Sequence, residues 1–333
     1  MINLKKILFF FLLVFTFLFS KNVYAYDFNT EVDKVYLGGE TVGIKLNTGV
    51  SVVKTFGIVN GVEVIKPWES ANITENDIII SYNNELINTT EDLLNALKKY
   101  KDKEVVIEVN RNGNLITSKI KPVVKDNSYT LGIYVKDNIL GVGTLTYILP
   151  NTNIFGALGH KIENAMDVGG EMYEATVTGI KKGEVGEAGS KKATISKKDL
   201  GVVEKNTITG IHGVYSSSLK NKNLVSIGKK ETVHKGSAYI VTCLNQNKVE
   251  WYEIEITAVN RQKSKDVKGI KFKVTDESLL AKSNGIIQGM SGSPIIQDDK
   301  LIGAVTHVMI NNPHEGYGIY IEFMLEDMGV FVQ

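Results

Sequence analysis

The sequence predicts two domains, an α+β domain followed by a larger, mainly β domain. The chain has 333 residues, which is long enough to form two separate hydrophobic cores. Residues 33–124 combine β-rich stretches with one amphipathic helical pattern, and the strand-like segments 131–135 and 141–147 begin a second, β-rich region. Apolar residues make up 43% of the chain and charged residues 23%, which are the proportions of a globular protein rather than of a disordered one.

The charge balance and the cysteine content exclude several classes of function. The formal net charge is +1, so nothing in the composition indicates binding to nucleic acid. Cys243 is the one cysteine of the sequence, which excludes an internal disulfide, a redox pair of cysteines and a cysteine-rich zinc site. Because Cys243 lies in the apolar segment 238–244, we expect a buried thiol that packs as a small apolar side chain.

The first part of the chain has the organisation of a targeting segment. Lys5 and Lys6 precede an apolar run at residues 7–19, and residues 23–25 offer a small-residue cleavage site. The apolar run is shorter than the roughly 20 residues that a membrane-spanning helix needs. We therefore expect export across a membrane, with residues 1–25 serving as a signal peptide or as an N-terminal membrane anchor.

The first predicted domain contains the signals of strands, one helix and a hairpin. A glycine-bearing loop at residues 38–46 leads into a β-rich stretch at residues 49–59. Thr90 is a candidate helix cap. The pair Asn112-Gly113, between two strand-like segments, predicts a tight hairpin turn. Four apolar side chains after the cap share one predicted helix face: Leu93, Leu94, Leu97 and Tyr100.

This order of elements resembles a PDZ domain. Residues 76–79, which read Asn-Asp-Ile-Ile, match the usual Gly-Asp-x-Ile of that family. Asn76 and Asn84 replace glycines of the family pattern, and asparagine tolerates left-handed backbone angles better than most residues. The resemblance implies that peptide termini bind by adding a strand to a sheet edge. Four residues take the place of the family's carboxylate-binding loop: Val42, Gly43, Ile44 and Lys45.

A serine between two glycines stands before an apolar strand in the last part of the chain. Residues 289–294 read Gly-Met-Ser-Gly-Ser-Pro and precede a predicted β-hairpin. The glycines allow a tight turn that exposes the Ser291 hydroxyl, and they leave backbone N–H groups free to hold the negative oxygen of an attacked carbonyl. The pattern resembles the Gly-Asp-Ser-Gly-Gly-Pro signature of chymotrypsin-like proteases, with Met290 in place of the aspartate. A glycine-rich turn between two core strands is the alternative interpretation.

A serine nucleophile needs a neighbouring base, and histidine titrates nearest neutral pH. His160 ends the segment 155–160, where small residues leave room for a substrate, and it precedes Ser291 as in chymotrypsin-like enzymes. The lysines and glycines of residues 181–198 predict a solvated loop. The other histidines have weaker support as a base: His212, His234, His307 and His314.

Several segments together resemble the stage IV sporulation protein B family, PDZ-bearing serine peptidases of endospore-forming bacteria. The resemblance implies a PDZ domain at residues 33–124 and a mainly β, chymotrypsin-like double-barrel peptidase domain at residues 130–333. It runs from the targeting segment to near the C-terminus. The segments that carry it are 155–160, 274–276, 285–296, 302–308 and 316–322.

The resemblance implies roles for individual residues. Ser291 is the nucleophile, His160 is the general base, and Asp276 is the third member, which orients the base. Asp276 could instead hold the turn before Leu279, and Asp167 is then the reserve candidate.

The same resemblance implies the surroundings of the nucleophile. The backbone N–H groups of Gly289 and Ser291 form the oxyanion hole, and Ser293 shapes the turn. Thr306 and His307 line the substrate pocket or fill the core beside it. No metal or organic cofactor is implied.

The biological role that the resemblance implies is signalling. Such proteases are exported from the forespore into the space between the inner and outer forespore membranes. They cleave themselves and a membrane-bound regulator, so that an intramembrane metalloprotease processes the precursor of the late mother-cell sigma factor. One alternative is an exported PDZ scaffold with a degenerate protease domain. A quality-control protease of the high-temperature-requirement class is disfavoured, because those proteins carry their PDZ domains after the protease domain.

Overall fold

The computed structural model describes residues 30–46, 49–111, 114–137, 141–163 and 169–332. Three sequence predictions lie outside the described residues: the targeting segment at residues 1–25, the Asn112-Gly113 turn and the reserve candidate Asp167. In the part of the chain that the structure describes, no helix is long and apolar enough to cross a membrane.

Strands dominate the described residues. Up to residue 137 the strands are β1 (Thr30–Val32), β2 (Lys34–Leu37), β3 (Thr41–Leu46), β4 (Val50–Thr55), β5 (Ile58–Asn60), β6 (Glu63–Ile65), β7 (Ile78–Tyr82), β8 (Glu85–Leu86), β9 (Val105–Arg111), β10 (Asn114–Ile120), β11 (Val123–Lys125), β12 (Ser128–Thr130) and β13 (Ile133–Asp137). From residue 141 they are β14 (Gly141–Ile148), β15 (Ile154–Ala157), β16 (Gly170–Lys181), β17 (Ser190–Thr207), β18 (Gly210–Tyr215), β19 (Leu224–Ile227), β20 (Gly236–Asn245), β21 (Lys248–Val259), β22 (Ile270–Val274), β23 (Pro294–Gln297), β24 (Lys300–Met309), β25 (Asn312–Tyr320) and β26 (Val330–Val332). The α-helices are α1 (Pro67–Ser70), α2 (Thr90–Tyr100), α3 (Glu277–Ser283) and α4 (Ile321–Glu326).

The first of two β-barrels is a ring of antiparallel strands. Its order is β14–β15–β18–β17–β16–β3, and β3 pairs with β14 again, so the ring is closed. Closure pairs the backbone groups of each strand on both sides and leaves no exposed sheet edge. Large apolar side chains that are fully buried fill its core, among them Val42, Ile44, Phe155 and Ile211.

The second barrel repeats this design further along the chain. Its order is β24–β23–β20–β21–β22–β25, and β25 returns to β24. Tyr252, Ile254 and Ile256 point into its core from alternate positions of β21, as the two-residue period of a strand requires. Strands β2 and β19 join the two barrels, because β14 pairs with β2, β2 with β19, and β19 with β24.

The PDZ domain is built on a sheet in the order β10–β9–β7–β4–β13, which packs against helix α2. The helix begins with a capping box, in which the Thr89 hydroxyl accepts the Asp92 N–H and the Asp92 carboxylate accepts the Thr89 N–H. The cap is therefore Thr89 and not the predicted Thr90. Leu94 is 49% exposed, because the helical period places it beside the buried face. That face is formed by Leu93, Ala96 and Leu97.

A PDZ-like sheet with its helix and a mainly β double barrel are thus both present, as the predicted fold class states. The boundaries differ from the predicted 33–124 and 130–333. Strands β2 and β3 belong to the peptidase sheet, whereas β13 belongs to the PDZ sheet. The PDZ domain is therefore inserted between β3 and β14, which are antiparallel neighbours in the first barrel. Sequence order hides this insertion because the partners of β3 lie far along the chain.

The predicted carboxylate-binding loop is also corrected. Strand β3 pairs with β14 on one side and with β16 on the other, so its backbone N–H and C=O groups are committed to the barrel. A Cβ added at Gly43 would lie 2.8 Å from Ile195 Cδ1, so this glycine serves close packing rather than a loop. The residues concerned are Val42, Gly43, Ile44 and Lys45, all within β3.

Candidate active site

A cavity of about 550 Å³ lies where the two barrels meet. His160 and Ser291 both line it, together with His307 and the first residues of β14. His160 follows β15 of the first barrel, and Ser291 precedes β23 of the second. The tertiary structure therefore brings together the two residues that the sequence proposed as base and nucleophile.

The imidazole of His160 is oriented by a backbone carbonyl. Its Nδ1 lies 2.9 Å from the carbonyl oxygen of Lys161. Because a carbonyl can only accept a hydrogen bond, Nδ1 carries a proton, and Nε2 is the basic nitrogen of the neutral ring. This is the tautomer that a general base needs if Nε2 is to take the proton of a serine.

The hydroxyl of Ser291 donates a hydrogen bond to the carbonyl oxygen of Thr306, at 3.2 Å. The hydroxyl therefore has to leave this carbonyl before it can donate to His160. Catalytic hydrogen bonds are often unformed in unliganded sites and tighten when substrate binds. In this orientation the half-buried side chain of Ser291 lines the cavity.

Hydrogen bonds around Ser291 set the direction of two backbone N–H groups at this turn. The carbonyls of Gln288 and Met290 each accept a backbone hydrogen bond at 2.9 Å. In a planar trans peptide the N–H points opposite to the carbonyl, so the N–H groups of Gly289 and Ser291 point away from those bonds. Neither N–H donates to a backbone acceptor among the described residues. An oxyanion hole requires backbone N–H groups that have no acceptor within the protein.

Glycines shape this turn because other residues would not fit. Gly289 and Gly292 have φ angles of +91° and +90°, in the region that favours glycine. A Cβ at Gly292 would lie 2.1 Å from the carbonyl oxygen of Thr144. Ser293 is fully buried, and its hydroxyl is 3.4 Å from the Thr144 hydroxyl, so Ser293 supports the turn and has no access to substrate.

Asp276 has a different role from the predicted third member of the triad. Its carboxylate accepts the N–H of Leu279 at 2.9 Å and the N–H of Glu253 at 3.3 Å, and it is the N-cap of α3. It is not among the residues that line the cavity with His160. The alternative interpretation, in which Asp276 holds the turn before Leu279, is the one that the structure supports. In the described residues, the Lys161 carbonyl orients the base instead.

Thr306 and His307 have separate roles beside the nucleophile. The His307 ring lines the cavity, with its centroid 5.5 Å from that of His160. Burial lowers the pKa of His307, and the neighbouring His160 and Lys268 lower it further. The Thr306 hydroxyl donates to the carbonyl of Val267 at 2.7 Å, so this side chain has a core role.

The remaining histidines and the cysteine lie outside this cavity. His212 is fully buried, His234 is exposed and His314 is half-buried beside Asn284. Cys243 is 1% exposed, and its thiol lies 2.9 Å from the Gln246 carbonyl. The thiol is therefore a buried side chain of the second barrel, as its apolar segment indicates.

A smaller cavity of about 220 Å³ adjoins Ser291. Apolar side chains make up most of its lining: Ala188, Ile286, Ile287, Val305, Val308 and Ile310. Ser291 and His307 line both this apolar cavity and the larger one.

Two family models match the chain. The model described as SpoIVB peptidase S55 matches residues 127–325, and the model described as PDZ domain matches residues 35–121. The first match spans more than half of the chain. The chain belongs to the SpoIVB peptidase S55 family. It is a serine peptidase that carries a PDZ domain.

Similar solved structures of the S55 chain include two of the Rv3671c protease from M. tuberculosis. The active form is 14% identical, with 55% of this chain and 70% of that chain covered and a TM-score of 0.32. An inactive serine-to-alanine mutant is 14% identical, with 57% of this chain and 82% of that chain covered and a TM-score of 0.33. No curated protein matches the chain. The fold assignment rests on the strand pairing and on the two family models.

One of the two edges of the described PDZ sheet in this S55 peptidase is β13, which pairs with β4, and the other edge is β10. Helix α2 lies beside β13. The N–H of Thr90, in the helix, donates a hydrogen bond to the carboxylate of Asp137 at the end of β13. Leu94, one turn after Thr90, exposes an apolar side chain on the same side. An open strand edge beside such a helix is the arrangement to which a peptide adds.

Sequence reasoning placed the peptide-binding loop on residues that form β3, whose backbone is paired on both sides. The order apolar-glycine-apolar of residues 42–44 is repeated at residues 131–133, and of these two segments only the second leads into the PDZ sheet edge. Gly132 has a φ angle of +72°, and a Cβ there would lie 2.7 Å from the Phe56 carbonyl oxygen. The repeated pattern is the signal that could have located this edge.

A buried lysine of the S55 peptidase was also missed. Residues 181–198 were predicted to be a solvated loop, but most of them belong to β16 and β17, and Lys191 is 6% exposed. Lys191, Ala193 and Ile195 occupy alternate positions of β17. That two-residue alternation is the sequence signal that places the lysine on the same face as apolar side chains.

Proposed function

We propose that Ser291 is the nucleophile of this serine endopeptidase and that His160 is its general base. The observation that carries the proposal is the shared cavity, which both side chains line. The turn that carries Ser291 adds the N–H groups of Gly289 and Ser291, which donate to no backbone acceptor among the described residues. The Lys161 carbonyl supports the assignment of the base, because it holds the proton on Nδ1 and leaves Nε2 basic.

In the proposed reaction, His160 Nε2 takes the proton of Ser291 as the serine oxygen attacks the substrate carbonyl. The carbonyl oxygen becomes negative and accepts hydrogen bonds from Gly289 N–H and Ser291 N–H. The Lys161 carbonyl dipole stabilises the imidazolium that forms. Protonated His160 then gives its proton to the leaving amine, and a water molecule hydrolyses the acyl-enzyme by the same steps.

The apolar cavity beside Ser291 supports a preference for substrates with an apolar side chain next to the cleaved bond. Its volume of about 220 Å³ suits an aliphatic side chain of moderate size. Digestion of a defined peptide mixture, followed by mass spectrometry of the new termini, tests this preference. Cleavage mainly beside charged residues would contradict it.

The biological proposal is sporulation signalling in the space between the two forespore membranes, with the enzyme exported by its N-terminal segment. Its substrates would be itself and a membrane-bound regulator of an intramembrane metalloprotease, whose action leads to sigma-factor processing. Family membership and the targeting pattern of residues 1–25 support this role. The edge of β13 supports the docking of target peptides on the PDZ domain.

The test compares the protein from residue 26 onward with its Ser291→Ala variant. We expect the parent protein to process itself and to be labelled by a fluorophosphonate probe, and Ser291→Ala to do neither. Ser264→Ala is the matched control, because Ser264 is exposed and lies outside the cavity. Processing that continues unchanged in Ser291→Ala would overturn the proposal.

The alternative raised from the sequence, an exported PDZ scaffold with a degenerate protease domain, makes a different prediction for the cell. A scaffold predicts that a Ser291→Ala strain completes sporulation normally. The peptidase predicts arrest before late mother-cell gene expression, which a reporter of that sigma factor measures.

A further inference from the structure

The amine of Lys191 is buried between the two barrels and contacts three hydroxyl groups. Its Nζ lies 3.2 Å from Thr41 Oγ1, 3.3 Å from Thr144 Oγ1 and 3.0 Å from Thr242 Oγ1. An ammonium group has three N–H donors and no acceptor, so these three oxygens match its protonated form. Thr41 and Thr144 come from the first barrel and Thr242 from the second, so the amine ties the barrels together.

No carboxylate pairs with this amine among the described residues. The groups that face it from β3 and β14 are hydroxyls, and β20 adds a hydroxyl and the thiol of Cys243. Burial lowers the pKa of Lys191 to about 7. Burial also raises the pKa of Cys243, so the thiol stays neutral where the amine titrates.

Two contacts connect Lys191 to the turn that carries the nucleophile. Its backbone N–H donates to the Gln288 carbonyl at 2.9 Å, which directs the N–H of Gly289 the opposite way. Thr144 Oγ1, which contacts the amine, donates to the Gly289 carbonyl at 2.9 Å. The side chain lies directly against the turn, since a Cβ at Gly289 would be 3.1 Å from Lys191 Cβ.

We propose that Lys191 is a positioning residue, which keeps the turn at Gly289 in its oxyanion-binding form by fixing the direction of the Thr144 hydroxyl. The inference rests on the proposed serine-peptidase mechanism. A protonated amine can only donate, so Thr144 accepts from it and must direct its own hydrogen to the Gly289 carbonyl. A neutral amine has a lone pair that competes for that hydrogen and releases the carbonyl. The buried positive charge also favours the negative oxygen of the reaction.

The test measures kcat and KM against pH for the parent enzyme and for Lys191→Met, with a peptide taken from its own cleavage site. We expect the parent enzyme to lose kcat as the pH rises through about 7, where Lys191 loses its proton. Lys191→Met should lose about 10- to 100-fold in kcat with KM nearly unchanged, and its alkaline loss should disappear. Lys192→Met is the matched control, because Lys192 is the exposed neighbour on the same strand.

Two further measurements separate this inference from folding defects and from the peptidase assignment. Thr242→Val removes one acceptor of the ammonium group but keeps the amine. The fall of kcat with rising pH should therefore occur at lower pH in this variant. In Ser291→Ala, the amide NMR signal of Gly289 should titrate near pH 7, and this titration should be absent in the double variant with Lys191→Met. The NMR result does not depend on peptidase activity. An unchanged pH profile in Thr242→Val, full kcat in folded Lys191→Met, or a Gly289 signal that does not titrate would overturn the proposal.

Discussion

His160 and Asp276 differ in what their side chains contact. The imidazole donates to one carbonyl and leaves Nε2 available in the cavity, whereas the carboxylate of Asp276 accepts two N–H groups away from the cavity. In sequence, Asp276 was expected as the third triad member because of the family resemblance and not because of its spacing from Ser291. Its contacts are those of a helix N-cap, for which aspartate is among the preferred residues.

Substitution of Asp276 distinguishes these two roles. We expect Asp276→Ala to lower the free energy of unfolding by about 1 kcal/mol through loss of the cap, and to change kcat/KM less than about threefold. Asp276→Ser, which keeps a capping oxygen, should recover most of the stability. Urea denaturation and peptide hydrolysis measure the two effects. A loss of activity near the 10⁴-fold typical of a triad aspartate would restore the original assignment.

The Asp77–Arg111 ion pair is a second site where single residues control stability, here in the PDZ domain. The Asp77 side chain is buried and accepts hydrogen bonds of 2.7 and 2.8 Å from Arg111. Burial acts to raise the pKa of Asp77, but the hydrogen bonds from Arg111 and Thr74 outweigh it, and the pKa lies below its usual value. The pair therefore stabilises the fold above the ordinary carboxyl pKa near 4, and this stabilisation is lost as the pH falls towards the lowered value.

Removal of Arg111 should expose this dependence. We expect Arg111→Met to cost about 3 kcal/mol at pH 7, because it leaves a buried carboxylate without its partner. The difference from the parent protein should shrink below about pH 4, as Asp77 takes up a proton. Lys119→Met is the control, since Lys119 and Glu104 form an exposed pair that should contribute little. Equal unfolding midpoints for Arg111→Met and the parent at pH 7 would contradict the prediction.

At the scale of elements, β13 beside α2 offers the PDZ domain an unpaired strand edge, and β3 does not. The backbone of β3 is paired on both sides, while β13 ends the described sheet. A peptide can add only where a row of backbone groups is unpaired. The apolar side chain of Leu94 lies on the helix beside that row.

Leu94→Glu tests this location. We expect it to weaken binding of a peptide with an apolar C-terminus at least about tenfold, because it puts a charge where apolar surface is buried. Leu115→Glu is the matched control, since Leu115 is 62% exposed on β10 at the other end of the sheet. Fluorescence anisotropy of a labelled peptide measures both affinities. Equal losses for the two variants would show that binding is not at this edge.

At the scale of the whole molecule, the insertion of the PDZ domain determines which parts can be separated. β3 and β14 are antiparallel neighbours, with Ile44 opposite Gly141, so the chain leaves and re-enters the first barrel at adjacent points. β14 also carries the contacts to the nucleophile turn, since Thr144 N–H donates to the Ser291 carbonyl at 2.9 Å. The two domains are therefore joined next to the active site.

Excision and truncation should have opposite effects on the peptidase domain. Replacement of residues 47–140 by a short glycine-serine turn should leave a folded peptidase domain, because that turn spans neighbouring strands. A truncated protein that begins at residue 49 should not fold, since it lacks β2 and β3 of the barrel assembly. Circular dichroism and labelling of Ser291 by a fluorophosphonate probe measure the outcome. A truncated protein that folds and is labelled would refute this view of the architecture.

Local patterns were sufficient for the parts of this protein that short segments decide. The glycine-flanked Ser291, the small residues before His160 and the apolar segment around Cys243 led to correct expectations about turn, cavity and burial, because each depends on neighbours within a few residues. The helix cap is Thr89, one position before the predicted Thr90, which is the normal uncertainty of helix ends. Leu94 was predicted on the buried face of the helix and lies beside that face.

Long-range strand pairing decided the rest. Whether residues 42–45 form a loop or a barrel strand depends on β14 and β16, and no local signal distinguishes the two. Burial of Lys191 depends on three threonines from three other strands. Asp276 and His160 acquired their hydrogen-bond partners only when the chain folded. Side-chain chemistry is readable in sequence, whereas the partners that each group meets are set by contacts between distant segments.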